Sequence, residues 1–400
     1  MKNIYDVCVI GGAGHVGAPL AIVLADRGMR VLICDINESA ISSLSQGQMP
    51  YLEEGGEIML KKALAEKKLG FTTRLQDIEN VPVLILTIGT PIDEFHNPVF
   101  SMLTRCVDSM IPFLSDDQTI ILRSTVAPGA TEFLERYLKA KNRNTRLAFC
   151  PERVVQGRAI TEIQTLPQII SGTTPEAVRI SGSLFRQIAP EVVEATPREA
   201  EFAKLICNTY RYIQFAATNQ LYMMVESAGL NYNELLHKIK KGYPRMESLS
   251  GPGFAAGPCL MKDTMQLFAF EKQNFILGQV AMTINEGLPN FLVNRLSKKH
   301  DLSRKTIGIL GMAFKAESDD IRDSLSYKLG KILRFAGAKV LCSDEYVKNP
   351  DFVSKEDLVK QADIIIIGVP HKAYESVHFP AGTEVVDMWE IADLKKYEQQ

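Results

Sequence analysis

The feature that most constrains the fold of this 400-residue chain is a glycine pattern between two apolar runs. The first run ends at Ile10 and is followed by Gly12-Ala13-Gly14-His15-Val16-Gly17, after which a helical pattern continues to Gly28. The second run, Arg30 to Cys34, ends at Asp35. The glycines alone would indicate only a tight turn. This order of strand, turn, helix and strand predicts a βαβ unit that binds a dinucleotide.

Each part of this unit has a physical role in binding. Gly12, Gly14 and Gly17 allow a tight turn and let backbone N–H groups approach a pyrophosphate at the positive end of the helix. We expect Asp35 to accept hydrogen bonds from the adenosine ribose. Ile36-Asn37 follows it, without an Arg or Lys that could pair with a 2′-phosphate. The sequence therefore favours NAD over NADP.

Three further apolar runs predict parallel strands that are buried on both faces. Each is followed by a polar residue near the strand end: Thr90, Thr125 and Glu152. Any one of them alone would indicate turn chemistry. Because ligands lie beyond the carboxyl ends of parallel strands, the three together predict one crevice.

Between about residues 196 and 300 the strand–helix alternation gives way to helical periodicity. Pro197 to Ala228 predicts a long central helix. Its apolar positions exceed a single stripe, so we expect it to be covered on several sides, by other domains or by a second subunit. Lys204 and Asn208 are spaced i, i+4 and share one face of this helix. A solvated lysine is the alternative interpretation.

A glycine- and proline-rich stretch, Gly251 to Pro258, predicts a loop that ends at Cys259. Lys262 and Asp263 follow closely. A thiol beside a cation ionises more easily and becomes a nucleophile, and a nearby carboxylate can position water or carry a proton. The alternative is an inert buried thiol after a loop.

The last hundred residues repeat the opening architecture. A strand, a loop, a helix and a second strand that leads to Asp344 mirror the first unit. The loop lacks the glycine pattern, however, and carries Lys315 and Arg322 instead. This half is therefore expected to bind a phosphate-bearing ligand near Lys315 rather than a second NAD. The predicted fold class is α/β, with two Rossmann-like doubly wound parallel-sheet domains joined by a central α-helical domain.

Composition excludes several classes of protein. The chain is 46% apolar and 23% charged with a net charge of -2, which gives no electrostatic case for nucleic acid or an anionic membrane. Seven cysteines without a CxxC pair favour a reducing compartment and argue against a zinc site. No signal-peptide core or membrane span is recognisable. We expect a cytoplasmic protein without a metal ion.

Together these motifs resemble the UDP-glucose/GDP-mannose 6-dehydrogenase family over essentially the full chain. The resemblance is carried by the residues 12–17, 89–91, 124–126, 151–152, Lys204 with Asn208, the loop 251–263, and 311–315 with Asp320 and Arg322. Thr90 to Phe95 and Glu152-Arg153 look more like the UDP-N-acetylhexosamine branch than the UDP-glucose branch. Ala255 and Ala256 stand where the family loop is usually richer in glycine, and an added methyl could narrow the substrate pocket.

The resemblance implies a two-step, four-electron oxidation of the C6 hydroxyl of a UDP-sugar to the uronic acid, with two NAD and one water consumed. UDP-GlcNAc or UDP-ManNAc is favoured, and the product would supply surface polysaccharides. Cys259 would capture the aldehyde as a thiohemiacetal and then a thioester, and Lys204 with Asn208 would stabilise the oxyanion. The first proton would leave near Thr125 and Asp263, and Glu152 or Asp263 would activate the hydrolytic water.

The resemblance also implies three domains: an NAD-binding domain at 1–195, a central helical domain at 196–300 and a UDP-sugar-binding domain at 301–400. A homodimer through the central helix is expected. Predicted catalytic residues are Thr125, Glu152, Lys204, Asn208, Cys259 and Asp263. Predicted cofactor-binding residues are Gly12, Gly14, His15, Val16, Gly17, Asp35, Thr90, Thr125 and Arg322. Predicted substrate-binding residues are Glu152, Arg153, Lys204, Asn208, Arg245, Gly253, Phe254, Phe314 and Lys315.

Several alternatives remain open from the sequence. Arg245 and Arg322 are nearly as well explained by ordinary interdomain ion pairs. The enzyme could instead be a UDP-glucose 6-dehydrogenase, or a single-step NAD-dependent hydroxyacid dehydrogenase that releases one NADH per substrate. A nucleotide-binding protein without turnover would retain the glycines but could dispense with Cys259 and Lys204. The sugar, the pathway and the base of the first step are not fixed by the sequence.

Overall fold

The computed structural model describes residues 4–94 and 97–392. Phe95, part of one motif above, lies outside the described residues. The chain forms two compact units: one comprises the residues up to Cys207 together with Ala269–Lys272, and the other comprises Asn208–Phe268 and the residues from Gln273 onward. In the described ranges, no helix has both the length and the apolar character to cross a bilayer.

The first unit is built on a sheet that, in the described residues, has eight strands in the order β3-β2-β1-β4-β5-β6-β7-β8. Neighbouring strands are parallel except for β6 and β7, which pair antiparallel. The strands are β1 (Val7–Ile10), β2 (Val31–Cys34), β3 (Leu69–Thr72), β4 (Val83–Leu86), β5 (Thr119–Leu122), β6 (Arg146–Phe149), β7 (Gln168–Gly172) and β8 (Val192–Glu194).

Helices cover both faces of this sheet because successive strand residues point to opposite sides. Val7 and Val9 of β1 belong to one apolar cluster, and Cys8 and Ile10 belong to another. This arrangement explains the continuous apolar runs in the sequence and confirms the predicted doubly wound α/β fold. The helices are α1 (Gly17–Asp26), α2 (Glu38–Ser45), α3 (Gly56–Ala65), α4 (Phe100–Met110), α5 (Ala130–Ala140), α6 (Ala159–Thr165) and α7 (Pro175–Phe185).

The long central helix is α8 (Pro197–Ser227), within one residue of the sequence prediction. Its first turns are fixed in the first unit by Glu201, whose carboxylate is buried and caps the start of α5. Glu201 accepts hydrogen bonds from the backbone N–H of Gly129 at 2.6 Å and of Thr131 at 2.7 Å. A carboxylate at a helix N-terminus also interacts favourably with the helix dipole.

The second unit contains, within its described part, a four-stranded parallel sheet in the order β10-β9-β11-β12. Apolar residues of β9 and β11 pack on both faces, against Leu329 of one cluster and Leu358 of another. The strands are β9 (Thr306–Leu310), β10 (Lys339–Ser343), β11 (Ile364–Ile367) and β12 (Glu384–Val386). The remaining helices are α9 (Tyr232–Lys240), α10 (Leu260–Phe270), α11 (Ile276–Ser297), α12 (Leu325–Phe335) and α13 (Lys355–Gln361).

Candidate active site

The glycine turn after β1 is packed too closely to accept side chains at two of its positions. A Cβ on Gly17 would lie 2.6 Å from the Gly12 Cα and 2.7 Å from the Gly11 carbonyl oxygen. A Cβ on Gly12 would lie 2.5 Å from the Val9 carbonyl oxygen. These distances are impossible for real side chains, so the close turn at the N-terminus of α1 depends on glycine. Such a turn leaves its backbone N–H groups accessible to a pyrophosphate.

Asp35 follows β2 and its carboxylate faces this turn. One oxygen accepts a hydrogen bond from the Ala13 N–H at 2.9 Å, and the other accepts one from the Asn37 N–H at 2.9 Å. The residue is half-buried, so the carboxylate is oriented by the backbone while still reached by solvent. The turn without side chains and the oriented carboxylate fit the pyrophosphate and the ribose of NAD.

His15 and Gly14 are held in the turn by two residues that the sequence analysis did not single out. The Tyr51 hydroxyl donates to the Gly14 carbonyl at 2.9 Å, and the Tyr51 ring lies 3.9 Å from the His15 ring, centroid to centroid. The Gln156 amide lies 3.2 Å from the His15 Nδ1. Val16 immediately precedes α1. Neither Tyr51 nor Gln156 belongs to a motif, so only the fold brings them here.

The residues after β4 and β5 meet as the sequence predicts. The Thr90 hydroxyl donates a hydrogen bond to the Thr125 carbonyl oxygen. The adjacent Ser124 hydroxyl donates to the Ile88 carbonyl at 2.6 Å. The hydroxyl proton of Thr90 is therefore donated to another protein group, and Thr125 accepts this bond with its backbone carbonyl rather than its side chain.

Glu152 is almost fully buried and forms an ion pair with Arg123, which is itself buried. Its other oxygen accepts hydrogen bonds from the backbone N–H of Arg153 at 2.6 Å and of Val154 at 2.8 Å. Arg123 also donates to Gln168, and the Arg153 side chain donates to the Pro167 carbonyl. Glu152 is thus held rigidly, and most of its acceptor capacity is committed to protein donors.

Lys204 is 9% exposed on α8. Across residues 4–94 and 97–392, its ammonium group forms no ion pair. Burial of an ammonium without a counter-charge is unfavourable, and buried charges are normally paired. Lys204 is therefore unlike the solvated lysine that the helical spacing alone would allow, and it is available to a ligand.

Cys259 carries an exposed thiol immediately before α10. Its carbonyl oxygen accepts the first bond of the helix, from the Asp263 N–H at 2.8 Å. The thiol thus lies at the positive end of the helix dipole, which favours negative charge. Lys262, the cation that the sequence places near the thiol, donates instead to Asp263 at 2.6 Å.

Asp263 links the thiol region to α8. Its carboxylate has 0% exposed surface and accepts a hydrogen bond from the Asn208 side-chain amide at 2.6 Å, in addition to that from Lys262. The second unit therefore brings together Asn208, Cys259 and Asp263. All three are among the predicted catalytic residues.

Arg322 lies near the same thiol. It forms a bidentate ion pair with Asp320, with a closest contact of 2.6 Å. The hydrogen bonds to Asp320 are the main cause of the raised pKa of Arg322, and electrostatic attraction to Asp320 and then Cys259 adds to it. Arg322 is predicted from the sequence to bind the cofactor, whereas within the second unit it pairs with Asp320 and interacts electrostatically with Cys259.

The remaining predicted substrate residues differ in their surroundings. Phe254 is buried in the apolar core of the second unit, and Gly257 packs so closely on Phe314 that a Cβ there would lie 2.5 Å from the ring. Lys315 follows Phe314 on the loop after β9. Arg245 is exposed, and its guanidinium lies 5.9 Å from the centroid of the Tyr243 ring.

The two alanines of the cysteine loop also differ. Ala255 is buried in a cluster with Tyr212, Ala216 and Ala281, so its methyl packs against the helices α8 and α11. Ala256 packs at the edge of the larger core of the second unit. The Ala255 methyl therefore fills helical packing rather than narrowing a ligand pocket, contrary to the expectation from the sequence.

The fold, the glycine turn and the oriented Asp35 define a dinucleotide-binding protein of the α/β class. Three models of the UDP-glucose/GDP-mannose dehydrogenase family match the chain: the NAD binding domain over residues 5–189, the central domain over 198–286 and the UDP binding domain over 308–396. The chain belongs to this family and is an NAD-dependent nucleotide-sugar dehydrogenase. The predictions of family and cofactor are confirmed.

Relatives with known names agree with this assignment. The chain is 30% identical over 380 residues to the UDP-N-acetyl-D-mannosamine dehydrogenase of Pyrococcus horikoshii, which covers 92% of this chain and 90% of the relative. The structure of that enzyme superposes with a TM-score of 0.86 over 93% of this chain and 91% of that one. The UDP-N-acetyl-mannosamine dehydrogenase of Staphylococcus aureus gives a TM-score of 0.86 at 26% identity, over 97% and 95% of the chains.

An enzyme named for a different sugar is also similar. The NDP-N-acetyl-D-galactosaminuronic acid dehydrogenase of Ralstonia nicotianae is 26% identical over 389 residues, covering 92% of this chain and 91% of the relative. All three relatives are named for N-acetylated sugars. This agrees with the branch that the sequence motifs resemble.

Proposed function

We propose that this enzyme oxidises the C6 hydroxyl of a UDP-N-acetylhexosamine, UDP-ManNAc or UDP-GlcNAc, to the carboxylate. The observation that carries this proposal is the exposed Cys259 thiol at the N-terminus of α10, beside the hydrogen-bonded pair of Asn208 and Asp263. A single-step dehydrogenase needs no such nucleophile. The names of the relatives support an N-acetylated sugar, and a role in surface polysaccharide synthesis would follow from the product.

The cofactor, when bound, accepts one hydride in each of two successive oxidations. In the first, C6 loses a hydride and its hydroxyl loses a proton, which we assign to a water molecule or side chain near Thr125 and Asp263. The buried carboxylate of Asp263 already accepts from Lys262 and Asn208, so it suits the orientation of that water. The product of this step is the C6 aldehyde.

In the second oxidation the Cys259 thiolate forms a bond to C6 of the aldehyde, and the carbonyl oxygen becomes a thiohemiacetal alkoxide. Lys204 and Asn208 are proposed to stabilise the negative charge on this oxygen, and one such donor contributes roughly 3–4 kcal/mol. Loss of a second hydride from C6 gives the thioester. The Lys204 ammonium is buried and forms no ion pair within the described residues, and this supports the role.

Water then adds to the thioester, the bond between C6 and sulfur breaks, and the thiolate of Cys259 is regenerated with release of the acid. Glu152 or Asp263 is proposed to orient or deprotonate this water. The buried ion pair of Glu152 with Arg123 and its two backbone donors favour orientation over proton transfer for that residue. The reaction as a whole consumes one water and two NAD.

Lys315 and Arg245 are proposed to contact the UDP phosphates or sugar hydroxyls, and Phe314, Gly253 and Arg153 are proposed to contribute to the substrate site. The assignment of Arg322 to the NAD phosphates remains a prediction. The division into domains at 1–195, 196–300 and 301–400 also remains a prediction.

A homodimer through α8 is the proposed assembly. In the single chain, four apolar residues of α8 are largely exposed: Ile206, Tyr210, Leu221 and Met224. Successive members of this set are 4, 11 and 3 residues apart, which places them on one face of the helix. Replacement of Leu221 and Met224 by Glu should convert a dimer to a monomer in light scattering. A monomeric parent protein would exclude this assembly.

The stoichiometry of the reaction tests the proposed function directly. With limiting UDP-ManNAc, UDP-GlcNAc or UDP-glucose, we expect two NADH per sugar consumed and the highest rate with an N-acetylated sugar. Cys259→Ala should bind NAD as the parent enzyme does but form no acid. A ratio of one NADH per sugar, or acid formation by Cys259→Ala at the parent rate, would exclude the covalent route.

A further inference from the structure

The loop that ends at Cys259 lacks regular secondary structure but is largely buried. Pro252, Gly253, Phe254 and Ala255 are all buried, and none of them lies in a helix or strand. Buried backbone N–H and C=O groups need hydrogen-bond partners. Side chains must therefore supply what a sheet or helix would supply elsewhere.

Asn219 of α8 supplies both partners for one residue of this loop. Its side-chain nitrogen donates to the Gly253 carbonyl at 3.0 Å, and its side-chain oxygen accepts from the Gly253 N–H at 3.0 Å. The side chain thus pairs with Gly253 as a neighbouring β-strand would. Asn219 has 0% exposed surface, so loss of either bond would leave a buried polar group unsatisfied.

Asn285 of α11 fixes the orientation of the Asn219 amide. The Asn285 oxygen accepts from the Asn219 nitrogen at 2.9 Å, and the Asn285 nitrogen donates to the Tyr212 carbonyl at 3.1 Å. Because the Tyr212 carbonyl can only accept, the nitrogen of Asn285 must face it. The Asn219 nitrogen must then face both Asn285 and the Gly253 carbonyl.

Trp389 packs on the same glycine. A Cβ on Gly253 would lie 2.0 Å from two carbons of the indole ring, so the ring occupies the space of a side chain at this position. The indole N–H donates to the Ile367 carbonyl at 3.0 Å, which fixes the ring to the end of β11. Trp389 is the only tryptophan in the chain.

We propose that Asn219 and Trp389 are positioning residues that hold the Cys259 loop in the geometry required for attack on the aldehyde. The inference rests on the proposed role of Cys259. The loop is fixed at Gly253 by these two side chains, and again at Gly257, whose N–H donates to the Asp323 carbonyl at 3.4 Å. Cys259 follows two residues later. Loss of the attachment at Gly253 would let the loop move. A displacement of about 1 Å is enough to lower the rate on the order of 100-fold.

The test uses the full chain with Asn219→Ala. We expect kcat to fall by about 10- to 100-fold while KM for NAD stays within about twofold, since no cofactor-binding residue is changed. The tryptophan emission should shift to longer wavelength, and amide exchange in the peptide 251–258 should accelerate. Ile309→Val, which removes one methyl from the buried β9 strand of the same unit, is the control for a general loss of stability and should change none of the three.

Trp389→Leu provides an independent arm, because it removes the packing contact and keeps the Asn219 hydrogen bonds. It should also lower kcat and accelerate exchange in the peptide 251–258, and it decides the matter if Asn219→Ala does not fold. Parent-like exchange and kcat in the folded variants would overturn the proposal, as would a loosened loop with unchanged kcat. The emission and exchange measurements do not depend on chemistry, so failure of the covalent mechanism would be recognised separately through the NADH ratio.

Discussion

The strands β2 and β10, at equivalent positions in the two sheets, are followed by equivalent aspartates that have different surroundings. Asp35 follows β2 and Asp344 follows β10, and each accepts a hydrogen bond from the loop after the preceding strand of its sheet. Asp35 is bound by two backbone N–H groups. Asp344 is bound by four, from Met312, Ala313, Tyr346 and Val347.

Asp344 also has a buried histidine as a partner. His371 lies with its Nε2 3.3 Å from Asp344, and the side chains of both residues have 0% exposed surface. The Nδ1 of His371 accepts from the Glu317 N–H at 3.0 Å, so its Nε2 carries the proton that Asp344 accepts. The carboxylate of the second sheet is thus consumed by the protein, whereas that of the first remains open to a ribose. The same strand–turn–strand scaffold therefore leaves one carboxylate half-buried and encloses the other completely.

The largest expected difference between the two sheets is in cofactor affinity, which depends on the glycine turn of the first sheet. Gly17→Ala would place a Cβ 2.6 Å from backbone atoms, so the turn must open and the affinity for NAD should fall by about 100-fold. Gly14→Ala is the matched control, because its Cβ would meet nothing closer than 3.5 Å. Titration with NADH, followed by its fluorescence, measures the cofactor affinity of both variants. Equal losses in the two variants would contradict the steric argument.

The next effect is on the stability of the second unit. Burial alone would raise the pKa of Asp344, but the hydrogen bonds from His371, Val347 and Tyr346 outweigh it and lower this pKa to about 2. Compared with the ordinary value of 3.8, the difference corresponds to roughly 2 kcal/mol of folding free energy. Asp344→Asn should lose this amount in chemical denaturation at neutral pH and leave NAD affinity unchanged.

The pH dependence of stability follows from the same shift. Because the folded pKa lies below the unfolded one, the stabilisation by Asp344 is fully present above about pH 4 and is lost as the pH falls towards 2. The difference in stability between the parent and Asp344→Asn should therefore shrink across this range. A constant difference from pH 7 to pH 2 would show that the carboxylate charge is not the cause.

The smallest effect is expected at the open aspartate. Asp35→Asn should weaken NAD binding by about tenfold, since a charged hydrogen bond to the ribose becomes a neutral one, and should alter stability far less than Asp344→Asn does. Isothermal titration compares the NAD affinity of the two variants, and chemical denaturation compares their stability. The assignment of roles would be reversed if Asp344→Asn impaired cofactor binding more than Asp35→Asn.

The parts of the fold that can be predicted are those with a local sequence pattern. The continuous apolar runs, the glycine turn and the 31-residue helix α8 were all evident in the sequence. The strands β7 and β8 were missed because β7 contributes only Ile169-Ile170 as an apolar pair, and its antiparallel pairing with β6 has no local signature.

The supporting residues of the site were hidden for a different reason. Arg123, Asn219 and Trp389 act on Glu152 and Gly253, which lie at least 29 residues away in the sequence, and their contacts exist only in the folded chain. Lys262 is evident in the sequence, but its ion pair with the adjacent Asp263 is seen only in the folded chain.

In the part of the chain that the structure describes, the buried ammonium of Lys204 forms no ion pair, and this affects the stability of the ligand-free enzyme. A buried cation without a counter-charge destabilises the ligand-free fold, and an incoming oxyanion removes that disadvantage. Ligand occupancy should therefore raise the melting temperature beyond what mass action on a neutral pocket would give, and Lys204→Met should be more heat-resistant than the parent when empty but respond less to substrate. The charge on Lys204 would then make the ligand-free enzyme less stable than its complex with an anionic ligand.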